Sequence, residues 1–437
     1  MISPTPRAIW LMMLGVPLMV AIAILQPGLW AIAGAWICLV LGLLLLDAML
    51  GARLSAFSTA IDTPNLLYTG AEDPLGLTFR FDSGPLPKRL EVKVDGNELL
   101  ANMPARGLRG FEGRVRRFEV PLKPLRRGEA RLDTLWTRWV GPLGLIQKRR
   151  REALNIAIPV TPNTRWVKEE AVRLYARDAD FGIKMQIDKG SGSEFDALRE
   201  FAAGMDRRAI DWKHSARHRQ LLAKEFRTER NHNIVFAFDT GRLMSEPLGG
   251  IPKIDRAINA ALLLAYVSLR SGDRTALYGF DARPGIASNI LHGPSAFPHM
   301  QALASRLDYS SNEANYTLAL TDLASRLERR SLVILFTDFV DTISTELMLE
   351  TIGRLTSRHL VLFATFHDET LETLVDAPPN TPGAISRAVI ADTLLDERKL
   401  VFRRLQRLGV HIIETPPERF GSELVSRYLD IKRRDML

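Results

Sequence analysis

The sequence predicts an α/β protein with a doubly wound parallel sheet, preceded by a small β-sandwich and an N-terminal transmembrane helical hairpin. Three observations support this prediction. The chain opens with two apolar runs around a Pro-Gly turn, continues with short alternating runs, and ends with apolar strands between amphipathic helices. Because the chain has 437 residues, these patterns indicate several domains rather than one core.

The N-terminal region has the composition of a membrane hairpin. No charged side chain lies between Ala8 and Leu46, and a Gln-Pro-Gly sequence at residues 26–28 interrupts this run. Each half approaches the length of about 20 residues that crosses a bilayer core about 30 Å thick. A cleaved signal peptide is the alternative, but it would have one shorter apolar core, a basic leader and a small-residue cleavage site. We therefore predict a hairpin over residues 1–54, with helices at about 9–25 and 29–46.

The flanking charges and the cysteine indicate the compartment. Arg7 and Arg53 flank the hairpin on the same side, and the positive-inside tendency assigns that side to the cytoplasm. Cys38, the one cysteine, lies in the second apolar run, which excludes a disulfide and a cysteine-based metal site. We expect a two-pass protein of the inner (cytoplasmic) membrane with its soluble domains in the cytoplasm.

The net charge of +8 is unevenly distributed, because basic residues crowd the region 106–151. A basic region beside a membrane anchor is attracted to anionic headgroups by about 1 kcal/mol per residue near the surface. Membrane lipid is therefore an expected partner. Nucleic acid is not, because the basic residues lie in short strands without a helix-turn-helix pattern or an aromatic stacking platform.

The soluble region changes its pattern along the chain. Residues 55–160 contain short β-rich runs separated by turn formers such as Asp-Ser-Gly-Pro and Arg-Arg-Gly, which predicts a small antiparallel β-sandwich. Such a module is more often a spacer or docking surface than a catalyst. Residues 161–232 are polar and charged and are predicted to pack on the next domain. Residues 233–437 alternate near-continuous apolar strands with helices, as in a parallel sheet covered on both faces.

Polar residues follow the strands of this second half. Asp239, Asp281, Asp338 and His367 each come just after an apolar run. Ligands of open parallel sheets bind at the carboxyl ends of the strands, so this edge is the candidate site. Carboxylates and hydroxyls on neighbouring loops are also the ligands that Mg²⁺ requires, although polar residues end many buried strands simply because the chain leaves the core.

The segment from GSGSEF to NIVFAFDTGRLM resembles the signature of the bacterial family called domain of unknown function 58. That family has, in order, Gly-Glu-Phe, Arg-x-Tyr/Phe, Gly-Asp-x-x-Arg, Ile-Asp-Trp, Ser-Ala-Arg and a strand ending in Asp. The positions that match are Glu194, Phe195, Arg199, Phe201, Gly204, Arg208, Ile210, Asp211, Trp212, Ser215, Ala216, Arg217 and Asp239. The stretch RRGEARLDTLWTRWVGPLGLI is also similar to the family's Arg-Arg-Gly and Asp-Pro-Phe-Gly-Leu segments.

The resemblance implies a von Willebrand factor A-like domain with a metal-ion-dependent adhesion site of the form Asp-x-Ser-x-Ser, a distant Thr and a distant Asp. Carried over by position, these residues are Asp239, Thr317 and Asp338. The two serines are replaced by Gly241 and Leu243, which offer no side-chain oxygen. Because Mg²⁺ tolerates incomplete geometry poorly, we expect a degenerate site that is not occupied, and no cofactor.

Basic residues near the signature are candidates for partner binding. For Arg199, Arg208, Asp211, Trp212 and Arg217, two interpretations stay open: an internal packing and salt-bridge cluster, or a docking surface. Arg242 has the same two alternatives: a solvated loop residue, or an arginine that holds a partner carboxylate bidentately in place of the missing metal.

Two further signals are weak. The sequence GSGSEF lacks the ending of a nucleotide-binding loop and is expected to be a surface turn leading to a helix. His214, His218 and His232 are crowded, but no general-base Glu accompanies them and basic residues lie between them, so zinc is not expected.

The family resemblance also implies a function. Its members are similar to accessory proteins of MoxR-type AAA ATPases, thought to assist the maturation or insertion of other complexes. We therefore expect a membrane-anchored interaction protein that is not an enzyme, with a MoxR-type ATPase and an unknown client as partners. The alternative is a divalent-metal-dependent hydrolase that uses Asp239 and Asp338.

Overall fold

The computed structural model describes residues 1–25, 30–180, 189–202, 207–218, 220–227, 231–339, 342–378, 380–434 and 436–437. The chain divides into two compact units, Met1–Thr161 and Pro162–Leu437.

The first unit consists of two N-terminal helices followed by strands. The helices are α1 (Pro6–Leu25) and α2 (Trp30–Leu50). Among the described residues, one segment, Gly34–Ala56, which begins within α2 and extends beyond its end, is long and apolar enough to cross a membrane, by length and composition alone. The strands are β1 (Ile2–Pro4), β2 (Phe57–Asp62), β3 (Leu67–Tyr68), β4 (Asp73–Phe81), β5 (Arg89–Gly96), β6 (Arg106–Arg109), β7 (Val115–Leu122), β8 (Gly128–Val140) and β9 (Ile146–Thr161).

These strands form two sheets that share one core. One sheet has the order β1-β9-β8-β5-β6, with β3 beside β9, and the other has the order β2-β4-β7. Apart from the parallel pair of β3 and β9, neighbouring strands are antiparallel. Alternate residues of β4 and β5 are buried, because side chains on a strand point alternately to its two faces. The core includes Trp139, whose ring packs at 5.0 Å from the ring of Phe57.

The turn between β8 and β9 holds the C-terminal end of α2. Asp47 is completely buried, and its carboxylate accepts hydrogen bonds from the backbone N–H groups of Leu143 (2.7 Å), Leu145 (2.8 Å) and Ile146 (2.7 Å). Lys148 Nζ donates to the carbonyl oxygens of Ala48, Gly51 and Ala52, at 2.9 to 3.1 Å. Burial lowers the pKa of Lys148. Because helix C-termini carry unpaired carbonyls, this lysine completes the end of α2.

We predict that Gly141→Ala loosens this contact. A Cβ atom at position 141 would lie 2.4 to 2.6 Å from the Asp47 carboxylate group, which would have to leave its three N–H donors. The expected loss is about 2–4 kcal/mol of unfolding free energy, since buried unpaired donors are costly. Denaturant unfolding of the detergent-solubilised full chain measures it. Gly42→Ala in α2 is the control, because its Cβ would meet no atom within 4 Å; equal effects of the two changes would contradict the prediction.

The second unit is a mixed α/β structure, which confirms the predicted class. Its strands are β10 (Lys189–Glu200), β11 (Leu222–Arg227), β12 (Asn233–Asp239), β13 (Pro247–Leu248), β14 (Ile251–Pro252), β15 (Arg274–Phe280), β16 (Pro284–Ala287), β17 (Leu291–His292), β18 (Ser331–Phe336), β19 (Leu360–Phe366) and β20 (His411–Thr415). Its helices are α3 (Thr164–Asp180), α4 (Trp212–His218), α5 (Arg242–Ser245), α6 (Lys253–Arg270), α7 (Phe297–Ser305), α8 (Tyr316–Arg326), α9 (Thr342–Thr356), α10 (Glu369–Asp376), α11 (Pro382–Arg407) and α12 (Phe420–Arg433).

The main sheet of this unit has the order β16-β15-β12-β18-β19-β20, with β17 beside β15. The strands β15, β12, β18, β19 and β20 run parallel to one another. Every residue of β12 and β18 is buried, and their alternate side chains enter two different hydrophobic clusters that also contain helix residues. The carboxyl ends of the parallel strands consequently lie along one edge, where the candidate site is.

One prediction for the signature segment is wrong. The sequence GSGSEF is part of β10, which pairs with β11 through two register irregularities, and it is not a turn leading to a helix. Glycine has low strand propensity, so the local sequence does not indicate a strand. Within GSGSEF, Glu194 and Phe195 stand opposite Arg227 and Phe226 of β11. Gly204 of the signature lies outside the described residues.

Candidate functional site

Asp239, at the end of β12, is held by hydroxyl and amide donors. Its Oδ2 accepts hydrogen bonds from Thr337 Oγ1 (2.7 Å) and the Tyr316 hydroxyl (3.1 Å), and its Oδ1 accepts one from the Gly241 backbone N–H (2.7 Å). The side chain is 1% exposed. Burial raises the pKa of Asp239 to about 6, although these three donors favour its ionised form. The hydrogen bonds from Thr337, Tyr316 and Gly241 only partly offset the loss of solvent, so the pKa stays raised.

Asp338, which follows β18 by two residues, has cationic partners on both oxygens. Lys253 Nζ, at the start of α6, lies 2.7 Å from Oδ2, and Arg398 Nη1, from α11, lies 2.8 Å from Oδ1. The carboxylate is 6% exposed. Burial opposes ionisation, yet the two cations hold the pKa of Asp338 below its ordinary value. The neighbouring aspartates thus differ in chemistry because only one of them is paired with positive charge.

All three nitrogens of the Arg398 guanidinium donate hydrogen bonds. Besides Asp338, it donates from Nε to Glu414 (2.8 Å) and from Nη2 to Thr365 Oγ1 (3.0 Å) and the Phe366 carbonyl (2.8 Å). It also stacks on Phe339 and Phe402, at 5.1 and 5.3 Å from the ring centroids. A planar guanidinium suits this combination of several hydrogen bonds in different directions with stacking, which a lysine could not reproduce.

The residues at this edge do not fit a magnesium site. Thr317 is exposed in the first turn of α8, and the hydroxyl that reaches Asp239 comes from its neighbour Tyr316. A Cβ atom at position 241 would lie 2.9 Å from Asp239 Oδ1 and 3.0 Å from the Asn312 carbonyl oxygen, so a serine there would displace them. Both oxygens of Asp338 face cations. In the part of the chain that the structure describes, no group of three or more His, Cys, Asp or Glu side chains is placed to hold a metal.

Arg242 is exposed at the same edge. Its backbone N–H donates to the Asn312 carbonyl (2.8 Å), which fixes the loop after β12 against the loop before α8. Its side chain is 58% exposed, and its guanidinium lies 4.0 Å from the carboxylate of Glu313, which is 83% exposed. Exposed pairs at this distance contribute little stability. Arg242 therefore presents its guanidinium to solvent.

The structure separates the five candidate residues of the signature. Asp211 is buried and structural: its Oδ1 accepts from the His214 backbone N–H (3.0 Å), which caps α4. Trp212, by contrast, is 69% exposed on that helix. Arg217 and Arg199 are also exposed, the latter on β10. The side chain of Arg208 lies outside the described residues. An internal packing and salt-bridge cluster therefore accounts for Asp211 but not for the exposed Trp212, and a docking surface accounts for Trp212 but not for the buried Asp211.

Sequence reasoning missed Lys253, Tyr316 and Arg398. Lys253 and Arg398 lie at positions distant from the aspartates in the sequence, and neither stands in a motif. The start of α11 could have been found, because Thr381 accepts from the Ala384 backbone N–H and Pro382 occupies the first turn. That signal locates the helix but not the direction in which Arg398 points.

The fold and the site define a mixed α/β domain whose carboxyl edge carries two buried aspartates, one of them neutralised by internal cations. Residues 197–378 match the model of the family described as "Protein of unknown function DUF58", which confirms the predicted resemblance. No curated protein matches the sequence.

Several solved structures are similar to this chain at low identity. One is the conserved hypothetical protein BatB from Bacteroides thetaiotaomicron, with 10% identity and a TM-score of 0.30, covering 47% of this chain and 100% of that chain. Another is the von Willebrand factor domain of the type V pili tip protein Mfa5 from Porphyromonas gingivalis, with 18% identity and a TM-score of 0.21 over 25% of this chain and 38% of that chain. A third is an aerotolerance-related membrane protein from Bacteroides fragilis, with 12% identity and a TM-score of 0.22 over 31% and 67%.

We predict that Asp338→Ala destabilises the second unit strongly. It removes the carboxylate that the buried Arg398 shares with the partly buried Lys253, and removal of one partner of a buried ion pair typically costs about 3–5 kcal/mol. Arg354→Ala is the control: it removes an arginine that pairs with Glu350 on exposed helix surface and should cost less than about 1 kcal/mol. Denaturant unfolding of the full chain compares them, and similar losses would show that the Asp338 cluster is not a stability determinant.

We also predict a pH dependence at Asp239. The ordinary pKa of 3.8 applies when the chain unfolds and about 6 applies when it is folded, a difference that corresponds to about 3 kcal/mol. Because the folded state holds this proton more tightly, the contribution to stability is complete below pH 4 and is lost as the pH rises through 6. Asp239→Asn removes this loss, so the unfolding free energy of the variant relative to the unmodified protein should increase between pH 4 and pH 7. A constant difference across that range would contradict the assignment.

Proposed function

We propose that this protein is a membrane-anchored interaction protein, with α1 and α2 as a two-pass anchor in the inner membrane and both soluble parts in the cytoplasm. The second unit would be a doubly wound domain of the von Willebrand factor A type that recognises a protein partner without a metal. The observation that carries this proposal is the pairing of both Asp338 oxygens with Lys253 and Arg398. The apolar segment Gly34–Ala56 supports the anchor.

The internal cations explain why we prefer binding to catalysis. A metal-dependent hydrolase needs open coordination positions on its carboxylates and a reacting water between them. Here Asp338 is directed at two side-chain cations, and the oxygens of Asp239 accept bonds from Thr337, Tyr316 and Gly241. This arrangement supports a structural role for the aspartates and leaves recognition to exposed groups at the edge.

For the partner, we propose a MoxR-type AAA ATPase, with which the protein assists the assembly or maturation of a client protein. The support is the family resemblance together with two exposed candidates for contact. Arg242 is the first, because a guanidinium binds a partner carboxylate with two parallel hydrogen bonds. Trp212 is the second, since tryptophan is enriched among the few residues that dominate the binding energy of protein interfaces. Each of these residues is proposed as a separate contact with the partner.

The test is capture of the purified MoxR-type ATPase of the source organism by the full chain in detergent. Arg242→Ala should weaken binding about tenfold, because a charge-assisted hydrogen bond contributes about 1.5–3 kcal/mol. Arg242→Lys should restore part of the affinity, since lysine keeps the charge but loses the bidentate geometry. Arg354→Ala, which removes another exposed arginine (73% exposed), is the control and should leave binding unchanged.

The other outcomes are equally informative. If Arg242→Ala binds as well as the unmodified protein and Trp212→Ala does not bind, the contact with the ATPase lies at α4 and not at Arg242. No binding by the unmodified protein, in the presence or absence of ATP, would overturn the proposed partnership.

A further inference from the structure

The strands of the first unit bring two turns to one edge. In the β5–β8 pairing Leu90 stands opposite Trp139, so the turn at residues 82–88, before β5, and the turn at residues 141–145, after β8, lie at the same end of the sheet. The chain also enters α1 and leaves α2 there. The Thr5 backbone N–H donates to the Leu145 carbonyl (2.8 Å), and the buried Asp47 carboxylate binds the second turn. We call this the helix-side edge.

This edge has exposed apolar side chains in its turns. Leu143 is 45% exposed and Leu86 is 38% exposed, although large apolar residues at turn tips are more often replaced by polar ones. Exposed cations stand beside them: Arg7 at the start of α1, Arg53 after α2, and Lys88 at the end of the first turn. Asp82, an exposed acidic residue at the start of the first turn, is paired with Arg80 at 2.9 Å. Apolar tips with basic residues beside them are typical of surfaces that lie in a membrane interface.

The depth of these turns relative to the apolar helices is fixed by Asp47. The uncharged run of the sequence ends at Leu46, so Asp47 marks the level at which α2 would leave the hydrocarbon. Because the Asp47 carboxylate bonds directly to the backbone of Leu143, that turn lies at the same level. Lys148, bonded to the last carbonyls of α2, keeps the turn and the helix in one rigid arrangement.

We propose that the helix-side edge is a lipid-binding surface. Leu143 and Leu86 enter the boundary between headgroups and acyl chains, while Arg7, Arg53 and Lys88 bind the phosphates of anionic headgroups. The occupant is the bilayer that holds the chain's own helices. This inference rests on the proposed membrane anchor, and it goes further by making the first unit a part of the membrane contact and not a freely suspended spacer.

The opposite end of the same sheet provides the comparison. Glu98 is exposed in the turn after β5, where the backbone N–H of its neighbour Asn97 donates to the Arg131 carbonyl near the start of β8. The thirteen residues of β8, Gly128–Val140, separate the two ends by roughly 40 Å at about 3.4 Å per residue. A probe at Glu98 therefore reports on a site in the same unit that is remote from the helix-side edge.

The experiment places a fluorescent probe at single cysteines in the full chain, reconstituted into vesicles of phosphatidylcholine and phosphatidylglycerol. Leu143→Cys and Glu98→Cys are each made with Cys38→Ser, and native Cys38 is labelled in the unmodified protein. Nitroxide lipids with the quencher at the headgroup or near the chain end then report depth. We expect the headgroup nitroxide to quench the Leu143→Cys probe several-fold more strongly than the Glu98→Cys probe, and the chain-end nitroxide to quench Cys38.

The outcomes separate this inference from the anchor on which it rests. Deep quenching at Cys38 together with equal, weak quenching at Leu143→Cys and Glu98→Cys would overturn the lipid-binding edge and leave the anchor intact. Absence of quenching at Cys38, with vesicles and protein failing to float together, would overturn the anchor itself. Leu86→Cys provides a second probe if Leu143→Cys does not fold, and shallow quenching there supports the same conclusion. Loss of the signal when phosphatidylcholine alone is used would confirm the role of anionic headgroups.

Discussion

The structure of the second unit depends on the neutralisation of one buried carboxylate. Asp338 leaves the central part of the parallel sheet, and its partners come from the start of α6 and the middle of α11. Two helices that are far apart in the sequence are thereby attached to one strand end. Asp338 is the carboxylate that Lys253 and Arg398 share, so its removal takes an ion-pair partner from both cations, and the three residues form one coupled cluster. Because both oxygens of Asp338 face these internal cations, its carboxylate is directed into the protein and not towards a bound ligand.

Three buried carboxylates show how the kind of hydrogen-bond donor determines the role and the pKa of a buried acid. Asp47 binds three backbone N–H groups and thereby joins a helix end to a turn. Asp338 binds two cations and keeps a low pKa, whereas Asp239 binds two hydroxyls and one amide and has a raised pKa. Each arrangement satisfies the rule that a buried charge needs partners. They differ in purpose: the first two fix elements in place, and the third leaves a group that titrates in the fold.

Sequence and structure agree best where the pattern is long and repetitive. The strands β12 and β18 are buried on both faces and are therefore mostly apolar, whereas α6 has apolar residues at helical spacing. Sequence alone could therefore predict which segments are strands and which is a helix. The prediction is weaker where a residue depends on a distant partner. GSGSEF became a strand through β11, and Thr317 is exposed while Tyr316, one position earlier, contacts Asp239. One residue on a helix changes the direction by about 100°, which a motif alignment does not resolve.

The sequence by itself determined the mixed α/β class, the family resemblance, the apolar N-terminal runs and the presence of aspartates at the carboxyl ends of the strands. These depend on composition and period, which are local properties of the chain. Only the tertiary structure decided what those aspartates bind. Lys253 stands 85 residues before Asp338 and Arg398 stands 60 residues after it, and the pairing of side chains so far apart arises from the packing of helices on the sheet. The sequence shows that a charged residue is present, but only the fold determines which side chain it pairs with.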